Sequence, residues 1–276
     1  MKISIITVSF NAAKTIEQTI SSVVNQTYKD IEFIIIDGGS TDGTVDIIKR
    51  YDDRIAFWCS ESDNGIYDAM NKGIEKSTGD YIQIIGSDDC LYSHDTIQKV
   101  VDSLDAETDI FSAARYEVDE EKKIQILATN KTAQYYKRGV LPWMPHTGIF
   151  VKGSYMKENL FDTSYKVAAD YKFILKAYMD KNVKFQYVDY PVAFFSLSGV
   201  SNNFSSELQA ENHRLCLELQ LAKNIGVDGF VYNKKSLKSI VKDILSKMNL
   251  LTAIQCTLGK WEKHQCNNEI CRWCGR

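Results

Sequence analysis

The residues of this chain that could do chemistry are mostly carboxylates. Gly86-Ser87-Asp88-Asp89 directly follows the apolar run Tyr81 to Ile85. Two adjacent carboxylates at a strand end can hold a hard divalent cation. Mg²⁺ and Mn²⁺ take oxygen ligands and keep positions open for phosphate. Such an ion would neutralise a leaving diphosphate as a Lewis acid. Asp-Asp pairs also occur in ordinary turns, so the pair alone does not decide. Asp37 ends a second apolar run, Ile31 to Ile36, ahead of the turn Gly38-Gly39-Ser40-Thr41-Asp42-Gly43. By itself it reads as a turn residue, with Ser40-Thr41-Asp42 capping the next helix. The glycines match no dinucleotide fingerprint, and no Gly-Lys-Ser/Thr follows to make a P-loop. Asp170 stands where a helix begins and by itself reads as a helix cap. His146, Trp143 and Arg115 are other polar or aromatic residues near strand ends, and each has an ordinary structural role but could also contact a ligand.

The tail offers a second constellation, His264-x-Cys266 and Cys271-x-x-Cys274. Three thiols and an imidazole could close a tetrahedral zinc site. The gap between Cys266 and Cys271 is unusual for zinc, and reduced thiols in a loose terminus are the expected state. Seven cysteines without a secretory signal do not make a disulfide framework.

These residues need a scaffold, and the pattern supplies one. Apolar runs at Ile3 to Val8, Ile31 to Ile36, Ile55 to Trp58 and Tyr81 to Ile85 read as strands. Between them lie stretches with helical periodicity, the first carrying Ile16, Ile20, Val23 and Val24 on one face. Such β-α alternation predicts a parallel sheet with helices on both faces. Ligands then bind outside the carboxyl ends of the strands. Further on, the spacing predicts a helix over Asp95 to Leu104 and a strand over Ile110 to Ala114. An antiparallel stretch follows over Tyr116 to Ala128, then a strand over Ile149 to Val151 and a helix over Ala168 to Met179. Two late strands (Lys184 to Val188, Val192 to Leu197) precede helices over Ser205 to Asn224 and Lys234 to Leu251.

Net charge is −3, but it is unevenly spread. The last 48 residues hold nine Lys and Arg against three Asp and Glu. An acidic body with a basic tail points to an interaction surface at the C-terminus, not to a nucleic-acid groove. In the tail, Leu237, Ile240, Val241, Ile244, Leu245, Met248 and Leu251 form an apolar stripe flanked by lysines. A basic amphipathic helix of this kind reads as a membrane-surface element; packing on the main domain or on a second subunit, giving an oligomer, is the competing use. No run approaches the roughly 20 apolar residues of a membrane span. The expected location is cytoplasmic, peripheral at the inner face of the plasma membrane. The expected division is a main domain over 1–225 and a basic, Cys-rich tail over 226–276.

Four blocks together resemble family 2 glycosyltransferases. They are Ile5-Ile6-Thr7-Val8-Ser9-Phe10-Asn11, the run Gln26 to Thr44, Glu61-Ser62-Asp63-Asn64-Gly65-Ile66-Tyr67-Asp68-Ala69-Met70-Asn71-Lys72-Gly73-Ile74, and Gly79-Asp80-Tyr81-Ile82 with Ser87-Asp88-Asp89. The likeness returns at His146-Thr147-Gly148 and Ala168-Ala169-Asp170-Tyr171. The resemblance implies an α/β GT-A fold, with a mostly parallel central sheet flanked by helices and, here, a C-terminal helical appendage. It implies a nucleotide-sugar donor, commonly a UDP-sugar, transfer with inversion, and Mn²⁺ or Mg²⁺ as cofactor. Thr7 and Val8 would line the base pocket and Asp37 would bond the nucleobase. Asp63 and Asn71 would shape the nucleotide site. Asp88 would contact ribose or metal, Asp89 would ligate the metal, and Asp170 would be the base. Many members have Asp where Gly86 stands and Glu-Asp where Ala169-Asp170 stands. The family's bacterial role at this length is building surface polysaccharide such as O-antigen, with a saccharide on a lipid diphosphate as acceptor. Rival readings are a sugar-1-phosphate nucleotidyltransferase, which lacks its Gly-x-Gly-Thr-Arg loop here, and a non-catalytic nucleotide-sugar-binding or scaffolding protein.

Overall fold

The strand β1 (Ile3–Ser9) is buried at every position, as its near-continuous apolar sequence requires of a strand covered on both faces. Parallel neighbours β2 (Ile31–Asp37) and β4 (Tyr81–Gly86) flank it, and β3 (Phe57–Ser60) adds to β2, also parallel. The crossovers are helices α1 (Ile16–Val24), α2 (Thr44–Lys49) and α3 (Ile66–Lys76). The predicted β-α alternation is therefore present over the first 86 residues. The computed structural model describes residues 1–121, 123–129, 144–197, 205–220 and 262–263.

Past β4 the pairing changes character. After β5 (Cys90–Leu91) and α4 (Thr96–Ser103), strands β6 (Ile110–Asp119) and β7 (Ile124–Ala128) form an antiparallel pair. Strand β8 (Ile149–Lys152) inserts antiparallel between β4 and β6. The helices α5 (Gly153–Glu158) and α6 (Ala169–Met179) follow. The late strand β9 (Phe185–Ser196) runs parallel to β6 and antiparallel to β5. Then come α7 (Ser205–Glu218) and the two-residue β10 (Glu262–Lys263), which joins the edge of β7. The main sheet order is β10-β7-β6-β8-β4-β1-β2-β3. The parallel character thus belongs to the N-terminal half of the sheet, and the remainder is mixed.

Two sequence boundaries move. The predicted break at Arg115 does not exist: β6 continues to Asp119 because β7 pairs along it from Arg115 onward. The two predicted late strands are one, carried through Pro191. The β6–β9 register shifts there, between Ser112 and Arg115, where Pro191 has no N–H to give the ladder.

Each sheet face carries its own apolar layer. One packs Ile6, Val8, Ile34, Ile36 and Ile84 under α3 and α6. The other packs Ile3, Ile5, Phe33, Ile35 and Ile85 under α1 and α4. Helix α3 approaches β1 closely at Gly73, where a Cβ would stand 2.5 Å from Ile6 Cγ2. The strand ends Ser9, Asp37, Ser60 and Gly86 consequently line up on one edge of the sheet. The predicted C-terminal helical appendage, Lys234 to Leu251, lies outside the described residues. Residues 262–263 of the predicted tail belong to the sheet. No helix among the described residues is long and apolar enough to cross a membrane.

Candidate active site

The carboxylate at the centre of that edge is committed to the protein. Asp37 is fully buried. Its Oδ1 accepts from Ser9 Oγ (2.8 Å) and Ser40 Oγ (2.6 Å). Its Oδ2 accepts from Ser60 Oγ (2.7 Å), the Ser40 amide (2.8 Å) and the Gly39 amide (3.2 Å). Burial pushes its pKa up, but the four hydrogen bonds from Ser40, Ser60 and Ser9 outweigh it and hold Asp37 below the usual carboxylate range. With five donors on its two oxygens, Asp37 ties three strand ends to the β2–α2 turn.

Thr7 is fully buried and in phase with Ile3 and Ile5, so it faces the α1/α4 layer. Val8, on the opposite face, packs with Tyr67 and Met70 beneath the cleft. Asn71 is consumed elsewhere. Its Oδ1 accepts from the Phe161 amide and its Nδ2 donates to the Phe161 carbonyl, both at 2.9 Å. It pins the segment before α6. Asp63 does stand at the cleft. One oxygen accepts from the Gly65 amide (2.9 Å), and the other lies 2.5 Å from where a Cβ on Gly38 would be. Beside them is a residue the sequence reasoning missed. Phe10, one residue past β1, is 66% exposed and within reach of Gly38. Its signal was available: a large apolar side chain directly beyond a strand end.

The Asp88-Asp89 pair follows β4 as expected, but its members differ. Asp89 is 2% exposed. One of its oxygens accepts from the Ser196 amide (3.0 Å) at the end of β9, the other from the Gly86 amide (3.1 Å). Burial, then the neighbouring Asp88 charge, push its pKa up to about 7 against these bonds and the Arg115 charge. Asp88 is half-buried, with Oδ1 folded over Gly86, 2.7 Å from a Cβ placed there. Asp88 thus fills the space that a third carboxylate would occupy. Asp88 is the more accessible of the pair, and Asp89 also anchors the loop from behind. The fit to a cation is good: two carboxylates crowd one another enough to raise a pKa, and a divalent ion relieves that repulsion. Among the described residues no cluster of three His, Cys, Asp or Glu forms a closed metal site. An open pair suits an ion that keeps positions for phosphate. The zinc candidates His264, Cys266, Cys271 and Cys274 lie outside the described residues, as does Trp143.

Across the edge, Arg115 is 7% exposed, ion-paired to Glu117 (2.9 Å) and stacked on the Phe195 ring (3.8 Å to the centroid). Its charge reaches both Asp89 and His146. His146, in a 3-10 turn ahead of β8, lines a small cavity with Asp170, Ile84 and Phe161. Burial and Arg115 lower its pKa, with Asp170 pulling the other way, so the imidazole is neutral at pH 7.

Asp170 is not a helix cap. Helix α6 begins one residue earlier, and its N-cap position is Ala168. The free amides are taken by Glu211 of α7, whose carboxylate accepts from Lys166 (2.6 Å), Val167 (2.9 Å) and Ala168 (2.9 Å). Asp170 instead receives Tyr67 Oη from α3, at 2.9 Å. Tyr67 is 5% exposed; burial and the Asp170 charge keep its phenol protonated. The sequence put Asp170 and Tyr67 in separate blocks and gave no sign of their contact. A small ionic cluster braces the base of α6. There Lys172 sits between Asp162 (2.7 Å) and Glu218 (2.6 Å).

The family model described as "Glycosyl transferase family 2" matches residues 4–162 of this chain. An uncharacterized glycosyltransferase of Mycobacterium tuberculosis is 31% identical over 188 residues, 63% of this chain and 68% of the relative. In fold, the chain is similar to the 1-349 fragment of S. aureus TarS in complex with UDP-GlcNAc. The TM-score is 0.60 at 16% identity, over 92% of this chain and 82% of that one. Against the longer TarS chain it spans 45% of the length. It is also similar to the mannosyltransferase PcManGT of Pyrobaculum calidifontis in complex with GDP-Man and Mn²⁺. Here the TM-score is 0.64 at 14% identity, over 94% and 79% of the two chains.

Proposed function

This chain belongs to glycosyl transferase family 2 and has the GT-A fold, and we propose that it transfers a sugar from a UDP-sugar to a saccharide hydroxyl with inversion. The observation that carries the mechanism is that two acidic groups are joined through Arg115 and His146: the Arg115 charge reaches Asp89 and His146, and His146 lines one cavity with Asp170. Asp88 stands at the end of β4, and Asp170 at the start of α6 is held by Tyr67. An inverting transfer needs these two functions kept apart. One neutralises the departing diphosphate; the other takes the proton of the attacking hydroxyl.

Asp88, the more accessible of the pair, and Asp89 would hold Mn²⁺ or Mg²⁺, which would supply positive charge to the departing diphosphate. Phe10 offers a face to the nucleobase, Asp63 closes that pocket, and Val8 forms its apolar floor. Asp170 removes the acceptor proton through the carboxylate oxygen that Tyr67 leaves available. His146, neutral, lies beside it without forming an ion pair that would quench the base. Support for a UDP-sugar and a metal comes from the donor and ion held by the two similar structures, which carry UDP and GDP donors respectively. The acceptor we propose is a saccharide on a lipid diphosphate in surface-polysaccharide synthesis. The basic stripe of the tail would dock the protein peripherally at the inner face of the membrane, where such an acceptor lies. The catalytic domain would span 1–225; the clamp of α7 on α6 supports placing its end beyond Glu218.

The test is a donor screen. UDP- and GDP-sugars are incubated with Mn²⁺, and release of free nucleotide diphosphate is followed with and without lipid-extracted acceptor. Divalent-dependent release from one UDP-sugar is the expected outcome. No release from any donor, with tight binding retained, would turn the protein into a nucleotide-sugar-binding one.

A further inference from the structure

We infer that Tyr67 is a positioning residue for the transfer step: its phenol fixes one oxygen of Asp170 so that the other is presented to the acceptor hydroxyl. This rests on the reading of Asp170 as the base.

The geometry is specific. Tyr67 is the second residue of α3, and its ring is wedged between the sheet and the segment leading to α6, 5.5 Å from the Phe161 ring. Only its hydroxyl reaches a polar group, Asp170 Oδ1 at 2.9 Å, across 103 positions of sequence. A buried phenol must find an acceptor. A carboxylate, however, has two oxygens and rotates about its Cβ–Cγ bond. With Oδ1 held, Oδ2 is the oxygen left for proton transfer, and rotation is stopped. The holding elements are rigid. Asn71, one helical turn further along α3, grips the Phe161 backbone from both of its polar ends. Glu211 holds the three amides just ahead of α6. The side chain of Asp170 is thus fixed from α3, while its backbone is fixed from α7.

The groups facing Asp170 are Tyr67 from α3 and His146 from the turn before β8. In the transfer step the acceptor O–H bond breaks, its proton goes to Asp170, and the oxygen's electron pair forms the new glycosidic bond as the diphosphate leaves. The Tyr67 proton does not move.

Tyr67→Phe removes one oxygen atom and keeps the ring. Expected results are a kcat lower by about tenfold to a hundredfold and a donor KM within about twofold of wild type. UDP release from the UDP-sugar selected in the donor screen is the readout, with a thermal melt as the control for folding. A purely structural role would lower the melting temperature and leave kcat per folded molecule at the wild-type value, and that result overturns the inference. So does a kcat within twofold of wild type, or a loss carried by the donor KM with kcat unchanged. Asp170→Asn, run in parallel, separates the two levels. If Asp170→Asn retains transfer within threefold, the base reading and this inference fall together. If it loses transfer while Tyr67→Phe keeps the wild-type kcat, only the inference about Tyr67 falls.

Discussion

Replacing Glu211 by Ala should destabilise the protein measurably although the residue lies far from the cleft in sequence. Its carboxylate accepts three backbone N–H groups, from Lys166, Val167 and Ala168. Ala168 is the N-cap of α6, and Lys166 and Val167 lie just ahead of it, outside the helix ladder. They are unequal in exposure. Lys166 is exposed and Val167 half-buried, so water can replace most of what they lose. Ala168 is 1% exposed, and its amide would be left without an acceptor. An orphaned buried donor costs about 1–3 kcal/mol. With up to about 1 kcal/mol from Val167, the total is roughly 2–3 kcal/mol, above a typical cap replacement of about 1 kcal/mol. For a domain of this size each kcal/mol moves Tm by about 2–4 °C, so the drop should be roughly 5–10 °C. Scanning calorimetry on Glu211→Ala and Glu211→Gln measures it. The Gln side chain keeps one acceptor oxygen and should recover part of the loss. Transfer should fall further than stability explains, because Asp170 sits two residues beyond the capped amide. A Tm within about 1 °C of wild type for Glu211→Ala would refute the reasoning that α7 caps α6.

Asp170→Asn should cut transfer by about 10²- to 10⁴-fold, the usual contribution of a general base, with donor affinity little changed by calorimetry. Asp88→Asn should abolish Mn²⁺-dependent UDP binding, and titration of UDP with chelator present should then match wild type; equal Mn²⁺ stimulation in the two proteins would move the metal role elsewhere. Phe10→Ala should weaken UDP binding by roughly tenfold if the ring stacks on the base, within the range of base–aromatic stacking. Asp89 gives a pH prediction. Its folded pKa, about 7, lies above the ordinary carboxylate value of 3.8, so its carboxyl favours the fold at low pH. That contribution is lost as pH rises from about 4 through about 7. Metal-free protein should show this slope in Tm, Asp89→Asn should lack it, and Mn²⁺ should oppose it.

The sequence by itself determined the N-terminal half of the fold. Four apolar runs of strand length, separated by helical periodicity, leave few ways to bury both faces except a parallel sheet. Local runs also placed Asp37, Asp63 and Asp88-Asp89 near strand ends, since a residue after a buried strand must emerge at the sheet's edge. The sequence could not say which of these carboxylates is spoken for. Asp37 meets Ser9 and Ser60 from neighbouring strands, and Asp89 meets the Ser196 amide from β9, partners that no local run announces. Nor could it separate Asp170 as base from Asp170 as cap, because the deciding partners, Tyr67 and Glu211, stand 103 and 41 positions away. The mixed half of the sheet was equally illegible, since β8 slips between β4 and β6 from a distant part of the chain. Residue type and local period fix where a side chain emerges. Which donors meet its carboxylate depends on long-range pairing, and that pairing exists only once the chain has folded.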